Sequence, residues 1–387
     1  MVWVVQNIHF PVSARSFVAP LVKQLNAAHI DTELWVEDNP AHQKTLQALD
    51  VPKRLIGSDL SLNVFKFVQK VGKYRQALRQ AQPQVLHAHQ TRASVIPLLA
   101  AYLEKVPVRI YHNHGLPYLG YKGPMRWVLR SLESLNMALA THILLVSHSN
   151  LKEAIADNLL PAGKGTVIKS GSAVGIDLKE YDLNKFDLAA ARQARKQFGL
   201  AEDAFVLGYV GRPVKRKGFH LLIQAWQTSG VAQQGGMLLI AGCSDSECQA
   251  VMGHAVPGVK GLGYLDGLTT FYAACDAVTL PSEHEGFPYS MLEGAAAGKP
   301  LIGTNIPGIR CTIRHNETGL LVPKDDRAAL CNAIRLIAKD KALRSRFGKN
   351  ARARVEAEFS RDIVLSGLLT FYNGIDRDIG TSAATNK

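Results

Sequence analysis

Two carboxylates eight positions apart, Glu285 and Glu293, mark the densest chemistry in the chain, in L-P-S-E-H-E-G-F-P-Y-S-M-L-E-G from Leu280 to Gly294. A strand predicted to end at Leu280 would leave Glu285 and Gly286 in a loop. Pro288 suits the opening of a helix, which would carry Glu293 on its second turn. Ionised carboxylates only accept hydrogen bonds, and polyhydroxylated ligands are rich in donors. Gly286 would let the backbone approach such a ligand closely, and free N–H groups at the helix start would suit a phosphate. Solvent-facing acids ahead of a well-packed helix would leave the same pattern.

A second constellation is basic: G-Y-V-G-R-P-V-K-R-K-G-F, Gly208 to Phe219, again at a predicted strand end. Arg212, Lys215, Arg216 and Lys217 stand between Gly211 and Gly218. An Arg fork and a Lys suit a diphosphate whose charge grows as it departs. The P-loop spacing is not matched, and a solvated turn is the competing reading.

Histidines come in two pairs, His87/His89 and His112/His114, each at a predicted strand end. Residues two apart share a sheet face. Polar lining of a cleft is favoured over a metal, because no recognisable ligand spacing and no nearby Cys or acid accompanies them. Asp376 and Asp378 in D-R-D are a weak metal candidate. The run His114 to Pro124, with three glycines, Tyr118, Tyr121 and Lys122, is expected to form a mobile loop over the site.

These segments need elements to hold them. Strands are predicted at Val2–Gln6, Thr32–Val36, Val85–Ala88, Val108–Tyr111, His142–Val146, Phe205–Val210, Met237–Ala241, Ala277–Leu280 and Pro300–Gly303. Between them, helical periodicity marks Phe17–Ala28, Leu62–Ala81, Ser94–Tyr102, Pro124–Ala140, Phe219–Thr228, Leu268–Ala274 and Pro288–Gly298, and the chain beyond Arg327 reads as helical to about Asp376. Alternating strands and helices imply parallel sheets, so the expectation is α/β, two doubly wound Rossmann-like domains facing across a cleft. Residues 1–185 would form the first, with a helix at about 360–378 crossing back to it, and residues 186–359 the second.

The chain has 387 residues, 47% of them hydrophobic and 20% charged, the composition of an ordinary globular protein rather than a disordered or fibrous one. Its net charge of +13 is uneven, for residues 51–150 hold thirteen Lys/Arg against three Asp/Glu. Such a stretch suits an anionic partner: a membrane face, a phosphorylated substrate or nucleic acid. No nucleic-acid-binding motif appears. Basic and aromatic residues on Leu62–Ala81 (Lys66, Lys70, Lys73, Arg75, Arg79) and on the helix from Pro124 (Arg126, Trp127, Arg130) suit an interfacial membrane contact. A solvated face is the plainer alternative. Five cysteines, an odd number in so long a chain, argue for a reducing compartment. M-V-W-V-V-Q-N reads as a first strand rather than a signal peptide, and the expected location is cytoplasmic, with a peripheral position on the inner membrane face.

Taken together, the chain resembles the retaining glycosyltransferases of family 4, with the GT-B architecture, over nearly its whole length. The resemblance rests on the E-x7-E pair Glu285/Glu293 and on V-G-R-P-V-K-R-K-G-F. It is supported by V-S-H-S-N at Val146–Asn150, G-S-A-V-G-I-D at Gly171–Asp177 and N-E-T-G-L-L-V-P at Asn316–Pro323. It implies transfer of a sugar from a nucleotide-sugar, a UDP-sugar, to a lipid-linked or glycan acceptor in surface-polysaccharide synthesis. It further implies that Gly211, Arg212 and Lys217 hold the diphosphate. Glu285 would contact the sugar, Glu293 the ribose, the backbone of Gly286, Phe287 and Pro288 the sugar hydroxyls, and the backbone around Tyr264 and Leu265 the base. His114 would line the site from the first domain, with no cofactor or metal needed. His9, Arg15, Tyr118 and Lys122 are the acceptor-side candidates. Two departures stand out: the loop from Asn7 to Ser16 lacks the glycine-rich run usual after the first strand, and Val174 replaces an Asn. A sugar-nucleotide epimerase of the same fold and, more remotely, a nucleic-acid binder are the alternatives.

Overall fold

The computed structural model describes residues 2–61 and 63–385, with side chains described as far as Ile375. Asp376 and Asp378 therefore lie outside the described side chains. The chain divides into two compact units, residues 1–175 with 362–387, and residues 176–361.

Unit 1 runs β1 (Val4–Ile8), α1 (Pro11–Phe17), α2 (Ala19–Ala27), β2 (Thr32–Val36), α3 (Gln43–Gln47), β3 (Lys53–Leu55), α4 (Val64–Ala81), β4 (Val85–His89), α5 (Thr91–Leu103), β5 (Val108–Asn113), α6 (Pro124–Leu139), β6 (His142–Leu145), α7 (His148–Ala156) and β7 (Gly165–Thr166). Its sheet has the order β3-β2-β1-β4-β5-β6-β7 with every neighbour parallel. Alternation along β1 and β4 sends Val5 and Leu86 to one face, where Trp35, Val71, Tyr74 and Ile96 join them in a dry core. A parallel sheet covered on both faces is ordinarily apolar on both. Here the opposite face carries Gln6, His87, His89 and His112, all nearly inaccessible.

Unit 2 runs α8 (Leu188–Gln197), β8 (Val206–Val210), α9 (Phe219–Ser229), β9 (Met237–Ala241), β10 (Cys243–Ser244), α10 (Asp245–Met252), β11 (Val259–Gly263), α11 (Thr269–Ala274), β12 (Ala277–Leu280), α12 (Tyr289–Ala296), β13 (Leu301–Thr304), α13 (Ile309–Thr312), β14 (Gly319–Val322), α14 (Arg327–Lys339) and α15 (Lys341–Arg354). The order is β10-β11-β9-β8-β12-β13-β14, parallel except for β10 against β11. α16 (Arg361–Thr385) then joins unit 1.

The expected alternation is present, with local differences. The Asn7–Ser16 segment is not a loop: Pro11 at the first helical position starts α1, and Val18 separates it from α2. Pro288 is the N-cap of α12 rather than its first helical residue. Strands β3, β7, β10, β11 and β14 and helices α1, α3, α7, α8, α10 and α13 had no place in the sequence reading. Most of these strands are short edge strands or carry glycine, so they lack a readable alternation. The units part at Gly175/Ile176, ten residues before the expected boundary, because the Ile176 N–H donates to the Phe359 carbonyl at 2.9 Å and its own carbonyl accepts from Arg361 at 2.8 Å.

Candidate functional site

In a doubly wound sheet, ligands bind beyond the carboxyl ends of the strands, where the strand order reverses. In unit 2 that reversal lies between β8 and β12. The loops leaving these two strands are the basic segment and the glutamate segment.

They are locked together. After β8 the chain makes a tight turn at Lys215–Lys217, closed by Gly218 at φ +71°. A Cβ at Gly218 would lie 1.9 Å from the Pro281 carbonyl oxygen, so only glycine lets the two loops approach this closely. The Glu283 N–H donates to the Arg216 carbonyl at 2.9 Å. From beneath, the Tyr209 hydroxyl donates to the Arg212 carbonyl at 3.0 Å. On this frame Lys217 Nζ stands 2.6 Å from Glu285 Oε1, and Ser282 Oγ donates to the same oxygen at 2.7 Å. Glu285 is buried, so its charge is held by two directed donors rather than by water. Arg212, on the same loop as Lys217, is exposed.

The next loop fixes the backbone that follows. Gly308, at φ +85°, leaves no side chain where a Cβ would meet the carbonyl oxygens of Gly286 and Glu285 at 2.5 and 2.7 Å. Phe287 is buried against Phe359, ring centres 5.5 Å apart. Pro288 supplies no side-chain cap, and no acid sits in the first turn of α12. One turn on, desolvation pushes the Glu293 carboxyl up to about 7, against the pull of a 2.9 Å hydrogen bond from the Tyr272 hydroxyl. Tyr264, 82% exposed, and Leu265 follow the end of β11 on the same edge of the sheet. The predicted donor-side residues thus lie beyond the carboxyl ends of β8, β11 and β12, on the loops that follow these strands and, for Glu293, on α12.

In unit 1 the strand order reverses between β1 and β4. There Gln6 stands in register with His87, and His89 with His112. His89 Nδ1 lies 3.0 Å from His114 Nε2, and His89 Nε2 lies 2.9 Å from Gln6 Oε1. Burial pulls all four imidazoles down, His87 to about 3 and His114 to about 4. Nitrogens of His87, His89 and His112 lie within 4.8 Å of one another, so the nearest thing to a metal centre among the described residues is histidine-only. The His87 and His89 rings stack, centroids 4.2 Å apart and 19° from parallel, so their in-plane lone pairs run side by side rather than converging on one ion. Behind them, the buried Glu133 accepts from Tyr111 at 2.7 Å and from Asn113 at 2.9 Å, and Asn113 Oδ1 caps the Gly115 N–H at 2.9 Å. Burial raises the Glu133 carboxyl to about 7.

The acceptor-side candidates are scattered. His9 is buried and 3.1 Å from Glu37. Arg15 and Lys122 are exposed. Tyr118 corrects an expectation: it is fully buried, its hydroxyl donating to Asp157 at 2.7 Å, and it sits in a 3₁₀ turn from Pro117 to Gly120. It is part of the unit 1 core rather than a ligand-facing loop residue.

Comparison with known proteins agrees with this geometry. Residues 191–354 match the family described as glycosyl transferases group 1, and residues 14–171 match the glycosyl transferase 4-like domain. The capsular polysaccharide biosynthesis glycosyltransferase CapM of Staphylococcus aureus is 31% identical over 315 residues, covering 80% of this chain and 82% of CapM. The chain belongs to the group 1 glycosyltransferases. A second relative, the N,N'-diacetylbacillosaminyl-diphospho-undecaprenol alpha-1,3-N-acetylgalactosaminyltransferase of Campylobacter jejuni, is 25% identical over 380 residues, 96% of this chain and 98% of that one. The crystal structure of Anabaena Alr3699/HepE in complex with UDP and glucose superposes with a TM-score of 0.78 at 18% identity, covering 97% of this chain and all of that one. The shared architecture is GT-B, two seven-stranded α/β units.

Within this glycosyltransferase, several supporting residues escaped the sequence reading. Ser282, Tyr209 and Tyr272 hydrogen-bond the signature residues, yet each is an unremarkable residue in its own segment. Gln6 was legible in principle, as an amide inside a strand expected to be buried on both faces.

Proposed function

We propose that this glycosyltransferase moves a sugar from a UDP-sugar to a lipid-linked glycan acceptor, with retention at the anomeric carbon, in surface-polysaccharide synthesis at the inner membrane face. The observation that carries this is the 2.6 Å Lys217–Glu285 contact at the strand-order reversal of unit 2.

The departing diphosphate would be met by Arg212, Lys217 and the start of α12 at Pro288, with Gly211 leaving room for its approach. Preorganised positive groups aimed at developing charge are the leading catalytic contribution available to such a site. Two cationic side chains and a helix start supply that charge without a metal ion. Glu285 would hold a sugar hydroxyl, Glu293 the ribose, the backbone from Gly286 to Pro288 the remaining sugar hydroxyls, and the Tyr264–Leu265 backbone the base. His114 would line the reaction site. Retention follows from attack on the face that the diphosphate leaves, with a phosphate oxygen taking the acceptor proton.

The acceptor side of the reading rests on unit 1. Helices of a parallel α/β unit begin at the carboxyl edge of the sheet. The starts of α4 and α6 expose Val64, Phe65, Val68, Met125, Trp127 and Val128, Phe65 at 87% and Trp127 at 69%. Exposed Lys66, Lys73 and Lys122 accompany them. Apolar side chains beside lysines suit the surface of an anionic bilayer, where an undecaprenyl-type acceptor resides. The basic stretch is only partly available, since Arg75 and Arg79 are held by Glu104 at 2.6 and 2.7 Å. Among the described residues no helix is long and apolar enough to cross a membrane.

A screen of nucleotide-sugars by thermal shift tests the donor. A UDP-sugar at 100 times its Kd raises stability by about 2.7 kcal/mol, and the reading fails if no nucleotide-sugar stabilises the protein. Incubation of the stabilising donor without acceptor distinguishes transfer from epimerisation of the donor itself.

A further inference from the structure

Five polar residues of unit 1, His114, His89, Gln6, Tyr372 and His87, form a single hydrogen-bonded chain. It runs from His114 Nε2 to His89 Nδ1 (3.0 Å), from His89 Nε2 to Gln6 Oε1 (2.9 Å), from Gln6 Nε2 to the Tyr372 hydroxyl (2.7 Å), and from there to His87 Nδ1 (2.6 Å). Tyr372 is a fully enclosed residue of α16. The other members come from β1, β4 and the turn after β5.

A neutral imidazole carries one ring proton, so each histidine in such a chain donates from one nitrogen and accepts at the other. The direction of every bond is therefore coupled to the next. With the Gln6 carbonyl oxygen toward His89, His89 must donate from Nε2. Its Nδ1 is then bare and must accept from His114 Nε2–H, which leaves His114 Nδ1 bare. At the other end the Gln6 amide donates to Tyr372, whose hydroxyl proton goes to His87 Nδ1. Turning the Gln6 amide over would reverse all four bonds and put a proton on His114 Nδ1. No mixed state satisfies every member. Burial keeps the imidazoles neutral, which is the condition for the coupling to hold.

We propose that Gln6, His89 and Tyr372 are positioning residues that fix the proton of His114 on Nε2 and so keep its Nδ1 a hydrogen-bond acceptor. An acceptor nitrogen suits a hydroxyl, the group that sugars supply in number. The inference rests on the reading that His114 lines the reaction site, but the proton arrangement can be measured without that reading. Both ring nitrogens of His89, and Nδ1 of His87, are engaged in this chain.

The test is long-range nitrogen–proton NMR on the full-length protein with ¹⁵N-labelled histidine, His114 being assigned by loss of its signals in His114→Gln. The wild type should show His114 Nε2 in the protonated range and Nδ1 in the bare range. Gln6→Glu should keep that pattern, because a carboxylate only accepts and holds His89 in the same tautomer. Gln6→Met and Tyr372→Phe should give averaged shifts at both His114 nitrogens, and the second removes only a hydroxyl, so the fold is spared. A wild-type proton on Nδ1, or an unchanged pattern in both variants, overturns the proposal. Activity gives a separate reading on the same proteins. Gln6→Glu should move the acid limb of kcat to higher pH by about one pH unit, because a carboxylate beside His89 favours its imidazolium. Averaged tautomers with kcat and KM both unchanged would leave the relay standing and remove His114 from the reaction.

Discussion

Lys217 and Glu285 are 68 positions apart in the chain, and their side chains meet at 2.6 Å because two neighbouring strands deliver their loops to one point. Either residue alone is an ordinary surface type. Together they form a charge-assisted contact, and the function proposed above gives its two parts separate duties toward a donor.

Substituting either should therefore hurt turnover more than folding. Lys217→Ala is expected to lower kcat about 100-fold or more, the scale for removing one electrostatic contact to developing charge, and Glu285→Ala to lower donor turnover through loss of its hydrogen bond to the sugar and of its contact with Lys217. Arg212→Ala should weaken donor turnover as well. Steady-state kinetics with the donor found by thermal shift, alongside melting curves, checks this. Intact donor turnover in both Lys217→Ala and Glu285→Ala would sink the site assignment.

The loop junction itself makes a stability prediction. Gly218→Ala places a methyl 1.9 Å from the Pro281 carbonyl at a positive φ, and Gly308→Ala does so against Gly286 at 2.5 Å. Each should cost about 1–3 kcal/mol or more through strain and displaced backbone. Differential scanning calorimetry should show the Tm falling by several degrees. Gly374→Ala, with nothing near its Cβ, serves as the neutral control.

Stability should rise with pH between 5 and 6.5. The four histidines have native values below 6.5, so the unfolded chain binds their protons first, and stability is lost as pH falls from 6.5 toward about 4. Glu133 and Glu293, raised to about 7, act in the opposite sense: their contribution is present below 4.5 and lost as pH rises through 7. His9 is lowered in the same sense, so the histidines outweigh the two carboxyls and the net slope on the acid side is positive. Denaturant titrations at several pH values measure it. Glu133→Gln should steepen that slope and His89→Gln should flatten it; slopes that do not respond would mean these groups titrate normally.

The membrane reading predicts a divided phenotype. Phe65→Asp with Trp127→Asp should abolish sedimentation with anionic vesicles, while Lys66→Ala with Lys73→Ala should weaken it by about 1 kcal/mol per charge and more so at low salt. Donor-induced thermal stabilisation should survive in both double variants. Vesicle binding that persists in the double aspartate variant would reduce the face to a solvated one.

The sequence by itself determined the class of the fold and the family. Strands Thr32–Val36, Met237–Ala241 and Ala277–Leu280 lie where the residues place them, because a short, mostly apolar run of four or five residues bounded by turns is too short for a helix. The signature residues Glu285, Glu293, Arg212 and Lys217 were legible because each sits in a spaced pattern within one segment. Short strands such as β3 and β7 were not, since two or three residues carry no periodicity, and α1 was hidden because its face is too brief to read. Only the tertiary structure decided which partners those residues have. Ser282 and Tyr272 became ligands of the signature carboxylates, Tyr118 became core, and Arg79 was spent on Glu104. The coupling of Gln6, His89 and Tyr372 to His114 is the extreme case. Its members lie up to 366 positions apart, and no local pattern specifies a hydrogen bond across that distance. Local sequence sets element type through backbone and side-chain preference, whereas contacts between elements follow from strand order and register, which are properties of the whole packed chain.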